Sequence, residues 1–157
     1  VPPDFDNSLD RKAFPVLLNE ADGSASFSLK MPRDGEPVLM QGAEYLVPVL
    51  GLDCLHQPVG AQTIFRFEKF LEHFAGHAHA SISPQLASDI LMHPQGVCKG
   101  WKPGMKIIPF INKVDAPEQE ADAINLAQKI LRNGNFPVDT VVYGSVFFEK
   151  AVPLRAS

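Results

Sequence analysis

The residues best suited to chemistry in this chain are Asn112-Lys113-Val114-Asp115, which end the apolar run Lys106–Ile111. Guanine presents an N1–H and an N2 amino group on one edge, and a single carboxylate can accept from both. Adenine has no N1–H, so a buried carboxylate facing it loses those bonds, and sites of that kind discriminate strongly. Asp115 would read that edge. Asn112 would hold the loop and reach the purine's far edge, while the Lys113 stem would lie across the base. The same residues also fit a plain turn with Asp115 as the N-cap of the next helix. Their place at a strand end, where ligands of α/β sheets bind, favours base reading. Gly144 and Ser145, in Tyr143-Gly144-Ser145 after another apolar run, would offer backbone N–H groups to the base.

A second group lies in Val16-Leu17-Leu18-Asn19-Glu20-Ala21-Asp22-Gly23-Ser24. On a continuing strand Glu20 and Asp22 share a face, and carboxylates at a strand end suit Mg²⁺ held through water beside nucleotide phosphates. Gly23 permits close backbone approach, and its N–H or the Ser24 hydroxyl would meet a phosphate. Taken alone, an Asp-Gly turn leaving a strand is the plainer reading. The glycine- and lysine-rich stretch 96–104 follows a helical pattern and opens a strand, the reverse of a phosphate loop, so it is expected to be a flexible surface loop. His73, His77 and His79 offer a metal pair at i, i+4, but Gly76 interrupts the helix between them, which favours solvated or capping histidines. No Ser/His/Asp or Cys/His constellation stands out.

The elements that must position these groups follow from hydrophobic patterning. Ala13–Asn19, Tyr45–Gly51, Lys106–Ile111 and Thr140–Tyr143, extending toward Phe148, read as strands. They are apolar on both faces, as in a sheet covered by helices on each side. Pro15, Pro48 and Pro109 sit inside these runs and point to edges or bulges. Helices are expected over Thr63–Ala75, from Ser83-Pro84 through Leu91, and from Pro117 to about Asn133 with Gly134 as the stop. The order predicts one α/β domain over 1–157, three-layered with a mostly parallel sheet.

Bulk properties bound the function. The chain has 157 residues, 45% of them apolar and 20% charged, with a formal charge of −4 and no basic block. Nucleic acid held through its phosphates calls for the opposite sign. The apolar stretches fall short of the roughly 20 residues a bilayer span requires. Only two cysteines are present, which points away from a disulfide framework and toward a reducing, cytoplasmic setting. The expectation is a cytoplasmic protein without membrane or nucleic-acid partners.

Ordered blocks extend the reading. They are Glu20-Ala-Asp-Gly-Ser24, Leu29-Lys30-x-Pro32, Glu36-Pro37-Val38 and Val49-Leu-Gly-Leu-Asp53. His93-Pro94-Gln-Gly96-Val-Cys-Lys99-Gly100, Asn112-Lys-Val-Asp115 and Val142-Tyr-Gly-Ser145 complete the series. Together they resemble the selenium-dependent hydroxylase accessory proteins, the YqeC family, over nearly the whole chain. The resemblance implies a P-loop NTPase-like fold and a nucleotide-dependent accessory role in maturing selenium-containing molybdenum hydroxylases. The nucleotide would be GTP, with Mg²⁺, and the hydroxylase or its maturation machinery the partner. Lys30 would join Gly23 and Ser24 on the phosphate side. The family's glycine-rich phosphate loop is expected in a preceding part, so this chain would form the C-terminal two-thirds of the nucleotide domain. Ala25 replaces the family's usual basic residue, and Met31 stands where an Ala is usual. The remaining alternatives are a non-enzymatic interaction or delivery module without a working nucleotide site and, more distantly, a metal carrier using the histidines.

Overall fold

The computed structural model describes residues 16–156. Eight short strands and three helices make an α/β arrangement with mostly parallel pairing. In order they are β1 Leu29–Lys30, β2 Tyr45–Leu46, β3 Val49–Gly51, β4 Ile64–Phe65, α1 Phe67–Phe74, α2 Pro84–Leu91, β5 Lys106–Ile107, β6 Phe110–Asn112, α3 Glu120–Leu131, β7 Thr140–Ser145 and β8 Lys150–Arg155. The main sheet has the order β3-β6-β7-β8, parallel except for the antiparallel β7–β8 hairpin. Beside it, β2 pairs with β5 and β1 with β4, both parallel.

The two prolines explain the fragmentation. The expected strand Tyr45–Gly51 is divided into β2 and β3 around Pro48, and Lys106–Ile111 into β5 and β6 around Pro109. Proline has no N–H to donate to a ladder, so each stretch loses regular pairing at that point. The path nonetheless continues, because Ile108 N–H donates to Leu46 O and Phe110 N–H to Pro48 O, both at 2.9 Å. Of the expected strand Ala13–Asn19, residues 13–15 lie outside the described residues, and 16–19 are not in a strand.

Helix boundaries follow local chemistry. The Ser83 hydroxyl accepts from Leu86 N–H at 3.1 Å and Pro84 takes the first helical position, so α2 starts where the sequence says it should. By contrast α1 starts later than Thr63, because Ile64 and Phe65 pair with Leu29 and Lys30 and Arg66 then turns through φ +59°. A single 3₁₀ turn, Pro117–Gln119, leads into α3. There the Gln119 side chain accepts from the N–H groups of Asp115 and Ala116, at 2.8 and 3.0 Å. Asp115 is therefore not the helix cap; Gln119 satisfies those donors instead. Gly134, at φ +78°, lies just beyond the end of α3.

The core lies between the main sheet and the pair α2–α3. Leu50, Ile111, Val141 and Tyr143 are buried and share one sheet face. Ala123, Leu126, Ala127 and Ile130 of α3 are buried as well, and α3 packs on β7, β8 and α2. Tyr143 marks which face this is, since its hydroxyl donates to Glu120 of α3 at 3.1 Å. The opposite face carries the row Val49, Phe110, Val142 and is more open, with Val49 52% exposed. Burial along the strands alternates, so the expected third layer is not made by the described helices. No described helix is long and apolar enough to cross a membrane.

Candidate functional site

The parallel strands bring Asn112-Lys113-Val114-Asp115 to the C-terminal end of β6, between the ends of β3 and β7. Two hydrogen bonds lock this loop to the β7–β8 hairpin. Val114 N–H donates to Gly144 O at 2.9 Å, and Val146 N–H donates to Asn112 Oδ1 at 3.0 Å. Val114 is buried as the loop's apolar anchor. The Asp115 carboxylate is exposed, and among the described residues no hydrogen bond or ion pair engages it. The loop is thus rigid at Asn112 and Val114 and presents a carboxylate outward. Gly144 and Ser145, expected beyond the strand, are its last two residues and pair with Ala151 and Lys150. The Ser145 hydroxyl is buried and accepts from Phe148 N–H at 3.1 Å.

Lys113 is the least relaxed residue of the loop. Its backbone is left-handed, at φ +65°, a conformation that costs a non-glycine residue of order 1 kcal/mol. From there its ammonium reaches Ser28 Oγ at 2.7 Å and Asp53 Oδ2 at 2.8 Å. Asp53 lies two residues beyond β3, at the same end of the sheet. Gly51 makes this proximity achievable: a Cβ there would lie 2.5 Å from Ser28 Oγ and 2.6 Å from Asp53 Oδ1. Sequence reasoning missed Ser28 and Asp53 as site residues. The signal was present in Val49-Leu-Gly-Leu-Asp53, an apolar strand running into a carboxylate, the same pattern sought at Glu20 and Asp22.

The phosphate-side candidates converge elsewhere, on Lys30. Its ammonium lies 2.9 Å from Asp22 Oδ2 and donates to the carbonyls of Asp22 and Gly23. The two side chains are only 10% and 5% exposed. Arg66 stands 3.8 Å from the other Asp22 oxygen and forms an ion pair with Glu36, which also accepts from Arg33 at 2.9 Å. Burial pushes the Glu36 carboxyl up, but hydrogen bonding with Arg66, Asp22 and Arg33 and the Arg66 charge outweigh it and hold it at about 2. Glu20 is exposed, whereas Asp22 is committed to cations. The shared strand face expected for them does not form. Ser24 opens a tight turn, accepting Phe27 N–H at 2.9 Å, with Ala25 and Ser26 both at positive φ.

The cleft between these groups has a volume of about 1000 Å³ and is lined by Glu20, Asp22, Ser28, Lys30, Asn112 and Lys113 over a floor from β2 and β3. It joins the base-side and phosphate-side candidates, apart from Gly23, Asp115, Gly144 and Ser145. On the base side the Asp115 carboxylate is unengaged but lies outside the cleft lining. Mg²⁺ does not fit Asp22, whose oxygens already face Lys30 and Arg66.

The histidines do not gather. His73 instead meets His93 at 4.5 Å between ring centroids, and His77 packs near Phe74. Burial, then the His73 charge, pulls His93 below its ordinary value. Among the described residues no three His, Cys, Asp or Glu side chains form a group able to hold a metal ion. The 96–104 stretch is not simply a surface loop either, for Gly96, Val97 and Cys98 are buried and Trp101 is tied to Met105 O at 2.9 Å.

Comparison with known proteins gives the chain relatives. The family model for "YqeC protein" matches residues 1–68. An "Uncharacterized protein YqeC" of Escherichia coli (strain K12) is 25% identical over 154 residues, 98% of this chain and 59% of that protein. The chain thus spans about three-fifths of the length of the curated relative it matches. No solved structure matches it. With its first 68 residues matched by the family model and almost its whole length aligned to a curated YqeC, the chain is similar to YqeC-like proteins.

Proposed function

We propose that this chain forms the base-reading part of a guanine-nucleotide-binding accessory protein with a P-loop NTPase-like fold, acting in maturation of selenium-dependent molybdenum hydroxylases. The observation that supports it most is the loop after β6, clamped through Asn112 and Val114 while Asp115 is left unengaged. A carboxylate held ready in this way accepts from both guanine donors with little reorganisation. The pathway assignment rests on the family resemblance. When bound, Mg²⁺ would supply charge neutralisation beside the phosphates. If hydrolysis occurs, its work would be positioning and electrostatics, with the phosphate cradle supplied from beyond the residues described.

Calorimetric titration of the intact gene product with GTP and ATP, with and without Mg²⁺, tests this. GTP should bind at least roughly a hundredfold tighter than ATP, and Asp115→Ala should abolish that preference with the fold intact. Binding of neither nucleotide, or preference for ATP, would sink the proposal. A second reading, an interaction or delivery module without a working nucleotide site, is favoured by the closed Asp22–Lys30 pair, which leaves Lys30 no free charge for a phosphate. It predicts no nucleotide heat at all.

A further inference from the structure

The tip of the β7–β8 hairpin puts apolar rings in water. Val146, Phe147 and Phe148 are 66%, 84% and 58% exposed, yet the turn that carries them is tightly held. Val146 N–H donates to Asn112 Oδ1 at 3.0 Å, Phe148 N–H to Ser145 Oγ at 3.1 Å and Glu149 N–H to Val146 O at 3.3 Å. The two rings lie 4.9 Å apart at 88°, edge to face. Phe148 thus braces Phe147, which keeps most of its surface open. Aromatic rings fixed in place and left in water mark a surface built to bind.

This tip is joined to the loop after β6. Val114 N–H is bonded to Gly144 O and Val146 N–H to Asn112 Oδ1. Asp115 and Phe147 therefore each stand one residue beyond a bond that ties the two loops together. A base read at its edge also needs a group against its flat face. The Lys113 stem was expected there, but its ammonium is drawn to Ser28 and Asp53. That is the β3 side of β6, whereas the aromatic tip stands on the β7 side. We propose that Phe147 is the platform on which the guanine base stacks while Asp115 accepts from its edge. An aromatic face takes any base, so the ring adds affinity and the carboxylate adds the choice of guanine. The platform role rests on the base reading proposed above and adds to it a residue outside Asn112–Asp115.

Calorimetric titration of the intact gene product with GTP and with inosine triphosphate, which lacks guanine's N2 amino group, tests it. Phe147→Ala should weaken both by the same factor, roughly tenfold or more, and leave the ratio between them unchanged. Asp115→Ala should instead bring the two affinities together. Phe147→Trp should keep native affinity, and its emission, over the background of the single native Trp101, should be quenched as GTP is added. Both Phe147 variants should melt like the native protein, since the ring is exposed. Native GTP affinity in Phe147→Ala would overturn the platform and leave the base reading standing. If that variant is also monomeric where the native protein is dimeric, the tip is a contact between copies instead. Loss of the ratio in Phe147→Ala would overturn it too, because the ring would then act through the Asp115 loop. Binding of neither nucleotide by the native protein would overturn both proposals together.

Discussion

The buried charges around Asp22 are where single residues matter most. Lys30, Arg33 and Arg66 converge on Asp22 and Glu36, tying the segment before β1 to the start of α1. Glu36 titrates at about 2 in the fold against an ordinary 4.5. Because the folded value lies below the unfolded one, its contribution is complete above about pH 4.5 and is lost as pH falls toward 2. Thermal melts should therefore drop through that window in the native protein. Glu36→Gln should melt lower at pH 7 and lose less between pH 4.5 and 2.5, an acid limb set by this carboxylate's titration range. An unchanged acid limb would show that the cluster is only solvated charge. None of this was visible in sequence, where Glu36 and Arg66 are thirty residues apart and no periodicity links them. The place of Asp115 just past a strand was legible because a strand end is a local signal. Asp53 carried the same signal but was outweighed by the Glu20–Asp22 pair, whose partners only the fold reveals.

Elements with local chemistry were read well. Ser83-Pro84 places the start of α2, and Gly134 lies past the end of α3. Elements defined by a distant partner were not: β1 and β4 are two residues each and exist only through each other, and the short apolar run Ala151–Leu154 of β8 is interrupted by Pro153. Missing β8 also hid the pairing of Gly144 and Ser145 with Ala151 and Lys150. The β7–β8 hairpin supports the candidate base loop, and it depends on Gly144, where an added Cβ would collide with the Lys150 carbonyl. Gly144→Ala should cost about 1–3 kcal/mol, as overpacking does, seen as a lower urea midpoint. It should weaken nucleotide binding as well, because Gly144 O holds Val114 N–H. Retained stability would mean that the hairpin shifts freely and does not position the loop.

For the whole molecule, the α/β class and mostly parallel pairing were legible from the order of apolar runs and helical stripes. The number of layers was not, because an apolar residue on an open face looks the same in sequence as one on a covered face. Tyr45, Val47 and Val49 are as apolar as the buried residues between them. The interruption at Pro48 has a consequence for solubility. Strand β3 is the outermost strand of the main sheet, with only its Gly51 N–H taken on the outer side, by Ser28 O at 2.9 Å, and an apolar edge is a template for pairing with another molecule's backbone. Pro48 cuts that edge into pieces of two and three residues, too short to recruit a neighbour, as gatekeeper residues do elsewhere. Pro48→Val should therefore leave the melting temperature nearly unchanged while raising light scattering on incubation at moderate temperature. If scattering stays at the native level, the proline shapes only the strand and does not guard it.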